Sequence, residues 1–331
     1  MKKILLIICL LSLGGCYDYT EIDDISIVSG ILLDYKDNKY ELTLECLDNE
    51  KESKTKVYKV TCNDIEECIS KVSKESNKEL FISHQKVLIL TSRTINKSIN
   101  FYDYFLRNSK SKMNFYVYYI DDQYIDLLFK DKEKSISFYL KDMTDFNTKD
   151  FSTSTKLSFI DMIQKIKEKG INNIYPSISI KDDEIILDSL ITFKNNNPII
   201  LDNNESIIYN IITNNINITS INIPCNKGSF SLNINSSETK FKIKNDLIIS
   251  IKDNAFISNY NCKYNLNDDK TIKKLEKIAN NYIKEEINKI LLKNKKTDFI
   301  GIERYFYKHK VNNKNIKIQV NTKITSIGES R

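Results

Sequence analysis

Leu13-Gly14-Gly15-Cys16 is the stretch of this sequence in which residue type, spacing and neighbours together specify a reaction. The Cys16 thiol is a nucleophile, and the two glycines before it let the chain lie extended in a peptidase cleft. Residues 4 to 13 are apolar apart from Ser12, and Lys2 and Lys3 precede them. A bilayer-spanning helix takes about 20 apolar residues, so this shorter run reads as the core of a signal peptide covering residues 1–15. The four features together have the form of a bacterial lipobox. Cys16 takes a diacylglyceryl group on sulfur, cleavage frees its amine for an acyl chain, and residues 16–24 become a short polar tether. Each buried methylene contributes about 0.8 kcal/mol and stable anchoring takes about two chains, which a diacylglyceryl group supplies. The alternative is an ordinary secretory signal with a cysteine at this place by chance. It leaves unexplained why charge, length, small residues and position agree.

The rest of the chain offers little further chemistry. The two histidines, His84 and His309, are far apart, and no three- or four-ligand zinc spacing surrounds either. His84 stands just before an apolar run at 85–92 and reads as a structural residue capping backbone groups. Five cysteines follow Cys16: Cys46, Cys62, Cys68, Cys225 and Cys262. An odd number in an exported chain argues against a full disulfide framework, and five buried free thiols are the expectation. Seven glycines in 331 residues exclude a glycine-rich phosphate loop. Carboxylate pairs such as Glu66/Glu67 and Asp182/Asp183 read as solvated faces. No cofactor or metal site is expected.

Three α/β segments emerge around these residues. The formal charge of +6 falls by two once Lys2 and Lys3 leave, and the remaining charge is spread along the chain, so a nucleic-acid partner is not expected. Residues 25–35 and 39–47 read as a β-hairpin, 63–76 as a helix capped by Asn63, 85–92 and 112–121 as strands, and 99–108 as a helix. This gives an N-terminal α/β domain over 25–145. A Ser/Thr-rich run, 146–158, reads as a linker. The middle α+β domain, 155–215, has a helix at 159–170 ending at Gly170, three strands within 175–201 and a helix at 204–213. The C-terminal α/β domain, 216–331, has strands at 230–235 and 247–252 and a closing strand at 316–328. Between them, Ile272, Leu275, Ile278, Ala279, Tyr282, Ile283, Ile287, Ile290 and Leu291 recur at helical spacing in the longest helix of the chain. The fold class is therefore mixed α/β, with three small domains and a long helix near the C-terminus.

Four segments in order give the chain a resemblance. They are GCYDYTEIDDISIVSGILLDY, with Cys16, Asp18, Glu21, Ile27, Val28, Gly30 and Asp34; FISHQKVLILTSR, with Phe81, His84 and Val87; YPSISI; and DFIGIERYFYKHK, with Asp298 and Gly301, closed by VNTKITSIG. Together they resemble the Ger(x)C lipoproteins, the C subunits of nutrient germinant receptors in spore-forming bacteria. Tyr17 stands where the family has tryptophan, and Ile22 where it has leucine. The resemblance implies a lipoprotein on the outer face of the spore inner membrane, acting with integral-membrane A and B subunits. It implies no catalytic residues. By motif position, the third domain with Asp298 and Gly301 is the candidate docking region. Two other readings stand beside this one: a lipid-anchored solute-binding protein, and a thiol-dependent envelope enzyme using Cys62 or Cys68.

Overall fold

A computed structural model describes residues 24–47, 54–97, 101–130, 134–266, 268–311 and 314–327. The Cys16 motif lies outside the described residues. The chain opens with three antiparallel strands, β1 (Ile25–Lys36), β2 (Lys39–Leu47) and β3 (Thr55–Cys62), followed by α1 (Ile65–Ser76). Asp37 and Asn38 both take positive φ, so the first hairpin closes on a two-residue turn whose twist matches the strands. Asp182-Asp183 and Asn195-Asn196 do the same further on. In a chain so poor in glycine, Asn and Asp fill the left-handed positions, where their short polar side chains are tolerated. The cap of α1 is Asp64, whose carboxylate accepts from Glu67 N at 2.8 Å, and not the expected Asn63.

β4 (Glu79–Phe81) and a 3₁₀ turn, Ile82–His84, lead into β5 (Val87–Leu90), then α2 (Ser92–Lys97) and α3 (Phe101–Arg107). β6 (Tyr116–Ile120) is followed by α4 (Ile125–Leu128), α5 (Ile136–Phe146) with a π-helical turn at Asn147–Phe151, and α6 (Phe159–Lys167). β1, β5 and β6 are parallel neighbours at the centre of the sheet. Both faces are covered. Ile31 and Leu33 of β1 join a core with Cys68 and Val72 of α1, Phe105 of α3 and Phe159 of α6. Leu32 points the other way, into a core with Leu140 of α5.

The run at 146–158 does not divide the sheet. β7 (Tyr175–Lys181), β8 (Glu184–Lys194) and β9 (Asn197–Leu201) continue it through parallel pairing of Tyr119 and Ile120 with Ser177 and Ile178. The order is β3-β2-β1-β5-β6-β7-β8-β9, with β4 beside β1. Ser152, Ser154 and Thr155, expected in a linker, are buried. Their segment tolerates burial because its carbonyls are answered. Asn210 Nδ2 donates to Ser152 O at 2.7 Å and to Ser154 O at 2.8 Å, and the Thr219 hydroxyl to Phe151 O at 2.6 Å.

α7 (Asn203–Ile212), with an Asp202/Glu205 capping box, leads to a second sheet. It runs β10 (Thr219–Cys225), β11 (Gly228–Ile243), β12 (Leu247–Tyr260), and β13 (Ile316–Ile327), the last parallel to β12. Between β12 and β13 come α8 (Asp269–Asn294), the expected long helix, and α9 (Ile302–His309). Leu275, Ala279, Ile283, Ile287 and Ile290 of α8 are all fully buried against the sheet. β13 is an edge strand, and α8 answers its outward amides: Asn280 Oδ1 accepts from Thr322 N at 2.8 Å and Glu276 Oε1 from Ile324 N at 3.0 Å.

The cysteine expectation is corrected here. Cys62–Cys68 and Cys225–Cys262 are disulfides, with Cα separations of 5.4 and 6.0 Å. The parity argument failed because the odd cysteine, Cys46, is a buried core residue of β2. Thiol titration of the denatured, non-reduced chain should therefore find Cys46 as the one reactive thiol among these five. Four further thiols would contradict the pairing.

Asp253 of β12 faces this second core. Among the described residues its Oδ1 has no hydrogen-bond partner, and Oδ2 takes a long contact of 3.4 Å from the Thr322 hydroxyl. Burial lifts its pKa from 3.8 to about 6, against weaker help from Ser237 and Thr322. The folded state thus binds this proton more tightly than the unfolded state. Stability falls as pH rises from about 4 to about 6, and above that window the charge costs about 2–3 kcal/mol. Asp253→Asn should raise the melting temperature at pH 7.5, with the gain vanishing near pH 4. A variant less stable at pH 7.5 would show that the carboxylate is held ionised.

Candidate functional site

The residues singled out by sequence fall at two junctions. The first lies where α5 crosses the beginning of β1. Gly30 of β1 stands opposite Glu45 of β2 and beside Val87 of β5. A side chain at Gly30 would collide with Ser137 of α5 and with Val87, so α5 can approach only over a glycine. Glu45 is fully buried and aimed at the start of α5. It accepts from Ile136 N at 2.7 Å, Ser137 N at 3.0 Å, Ser29 Oγ at 2.8 Å and Ser135 Oγ at 2.9 Å, and from the Ser137 hydroxyl. A carboxylate here meets both the orphan amides and the positive end of the helix dipole.

His84 ends the 3₁₀ turn beside this junction, exposed, with its ring 5.3 Å from that of Phe81. Backbone capping ahead of β5 falls instead to buried Gln85, whose Nε2 donates to Val87 O at 3.1 Å. The Phe81, His84 and Val87 pattern therefore marks a stacked pair followed by a buried strand. Asp34, at the far end of β1, is held by Arg93, by the Thr91 hydroxyl at 2.6 Å and by Tyr35 N at 2.8 Å. Burial pushes its carboxyl up, but Arg93 and the other donors outweigh this and hold it below the usual range.

The second junction joins the two sheets. Asp298 is 8% exposed, and both its oxygens are spent inside its own chain. Oδ1 accepts from Gly301 N at 2.9 Å, Ile302 N at 3.0 Å and Asn294 Nδ2 at 2.7 Å, and Oδ2 from Glu303 N at 2.5 Å. Asp298 thus ties the end of α8 to the start of α9. Gly301 takes φ +89°, left-handed, with Ile171 against it. Across the junction Asn172 N donates to Asp298 O at 2.6 Å, Asn172 Nδ2 to Thr297 Oγ1 at 2.6 Å, and Arg304 N to Gly170 O at 2.9 Å. Arg304 also pairs with Glu168 at 2.6 Å. Gly170 lies three residues past the end of α6, also left-handed, where a side chain would strike the Arg304 backbone. The expected docking residues Asp298 and Gly301 therefore form an internal latch. Cavities of about 440 and 480 Å³ flank it, the first lined by Lys165, Ile171 and Asn173, the second by Leu291, Lys295 and Phe306.

At the first junction the Ser29, Ser135 and Ser137 hydroxyls all donate to the fully buried Glu45. Cys62 and Cys68 are bonded to each other, and burial pushes the Cys46 thiol up to about 11, so the described cysteines present no thiolate near neutral pH. His309 stacks on Tyr305 at 4.4 Å, far along the chain from His84. Sequence reasoning missed Glu45, because Leu42, Leu44 and Cys46 set the apparent inward face of β2, whereas the strand is buried on both faces. A serine-rich helix start at Ser135 was the signal that its amides needed an acceptor.

Residues 18–180 match the family model described as spore germination protein N-terminal domain, and residues 192–328 match spore germination B3/GerAC like, C-terminal. Spore germination protein GerQC of Bacillus cereus is 24% identical over 322 residues, spanning 92% of this chain and 89% of that protein. The crystal structure of the GerBC protein shares the fold with a TM-score of 0.53 at 15% identity, covering 89% of this chain and 97% of that one.

Proposed function

Because the chain belongs to the GerAC family of spore germination proteins, we propose that it is the C subunit of a nutrient germinant receptor, non-enzymatic and required for the germination response. It is held on the outer face of the spore inner membrane through lipid on Cys16 and works beside integral-membrane A and B subunits. One observation carries this reading: the two family domains follow each other in order over almost the whole chain, joined at the Asp298 latch. The latch favours a rigid scaffold or relay, since it couples both sheets into one unit. A lipid tether adds effective concentration at the membrane without any new contact.

Purification of a tagged chain from spore membranes tests the assembly. Recovery with two multi-span membrane proteins is expected. Recovery with a transport permease and its ATPase would overturn the receptor reading and favour a solute-binding protein. Cys16→Ala should move the chain to the soluble fraction; full retention in membranes would contradict the anchor.

A further inference from the structure

The outer face of α5 is richer in aromatics than a solvated helix face. Ile136, Leu140 and Thr144 point into the core, while Phe138, Tyr139 and Phe146 point out, 38%, 47% and 56% exposed. Tyr139 and Phe146 lie seven residues apart, on one stripe. Phe151, 49% exposed, extends it, with its ring 5.4 Å from that of Phe146. Ile218, 48% exposed, adjoins through the Ser152 hydroxyl bond to its carbonyl at 3.1 Å. Contiguous exposed apolar surface of this kind marks a contact. Its charge is mildly basic: Lys134, Lys141 and Lys149 stand against Asp142, Asp145 and Asp150, Lys86 Nζ lies 5.3 Å from the centre of the Phe138 ring and Lys156 pairs with Asp145.

Chain geometry identifies what the face meets. From Cys16 to Asp24 there are eight residues, at most about 28 Å extended. Asp24 immediately precedes β1 and lies about 17 Å before Ser29, and the Ser29 hydroxyl is 3.5 Å from that of Ser135, the N-cap of α5. α5 itself is 11 residues, about 16 Å. A tether of about 28 Å therefore exceeds the roughly 17 Å to the start of α5, so a lipid on Cys16 lets this end of the helix come to the membrane. We propose that Phe138, Tyr139, Phe146 and Phe151 form a membrane-resting face, seated in the headgroup region of the bilayer that holds the anchor. The proposal rests on the lipid-anchored reading. Tyr139 suits that region because its apolar ring and its hydroxyl are both satisfied there, and the phenylalanine rings bury apolar surface at the acyl boundary. With two lysines in excess, the face should gain from anionic lipid without requiring it. The face fixes the subunit's orientation on the membrane, where a tether alone leaves it free to tumble.

The chain contains no tryptophan, so a single substitution gives a site-specific probe. Full-length Phe146→Trp and Phe151→Trp, processed in a lipoprotein-competent host, would be reconstituted in phosphatidylcholine vesicles containing brominated lipid. Tyr307→Trp, at a 70% exposed position on α9, is the reference. The intact mass reports whether Cys16 carries diacylglyceryl, and its absence would overturn the anchor reading and the reach argument with it. With the anchor present, the expected result is blue-shifted emission and strong quenching by bromines about 5–10 Å below the boundary, with the reference unquenched. Quenching equal to the reference would overturn the membrane face alone, leaving the anchor intact. A blue shift without quenching would also overturn it, as contact with protein. Added phosphatidylglycerol should strengthen the quenching; quenching only in its presence would overturn the aromatic contact.

Discussion

Asp298→Ala should lower stability by about 3–4 kcal/mol, and the melting temperature by about 6–8 °C. Alanine strips an acceptor from Gly301 N, Ile302 N and Glu303 N together, and leaves Asn294 Nδ2 unanswered. Charge-assisted hydrogen bonds of this sort contribute about 1.5–3 kcal/mol each, though a relaxed α9 recovers some of that through water. The Asn172 amide donates to the main-chain carbonyl of Asp298, which alanine keeps, so the effect crosses the junction only as far as the backbone there shifts. Asp298→Asn keeps one acceptor oxygen and should lose about half as much. Thermal unfolding of the two variants gives the comparison. A shift below about 2 °C for alanine would mean that the latch is not what holds the sheets together.

The second large effect belongs to Glu45→Gln, which keeps volume and removes charge. Five donors converge on the two carboxylate oxygens, two of them backbone amides of α5. Glutamine turns one oxygen into an NH₂ group that must face donors, at a cost of about 2–4 kcal/mol. The damage should be local first. Hydrogen exchange at the amides of Ile136 and Ser137 should speed up before the strands of the sheet respond. Unchanged exchange at those two amides would show that the helix start has another acceptor. If α5 also rests on the membrane, the same variant should weaken Phe146 quenching while leaving the anchor in place.

Period and turn chemistry were readable where each element was regular. Leu275, Ala279, Ile283, Ile287 and Ile290, legible by their helical spacing, are the buried stripe of α8. The three strands within 175–201 were bracketed by Asp182-Asp183 and Asn195 to Pro198, where the structure turns. β3 escaped notice because its alternation mixes Lys56 and Lys59 with Val57, Tyr58 and Val60, the signature of a charged sheet edge. α9 escaped because its aromatics and charges crowd eight residues, too few for a clear period. The continuity of the large sheet rests on pairing of Tyr119 with Ser177, 58 positions apart, which local pattern does not encode. For the same reason Asp298, Gly301 and Gly170 could each be picked out, while their meeting, and the part that Asn172 plays in it, could not.

The most direct test of the central claim is dipicolinate release from spores lacking this gene, followed with nutrients and with a nutrient-independent trigger. The account predicts loss of the nutrient response with the other trigger intact, restored by the wild-type gene and not by Cys16→Ala. A full nutrient response in spores whose other receptor genes are also deleted would contradict it.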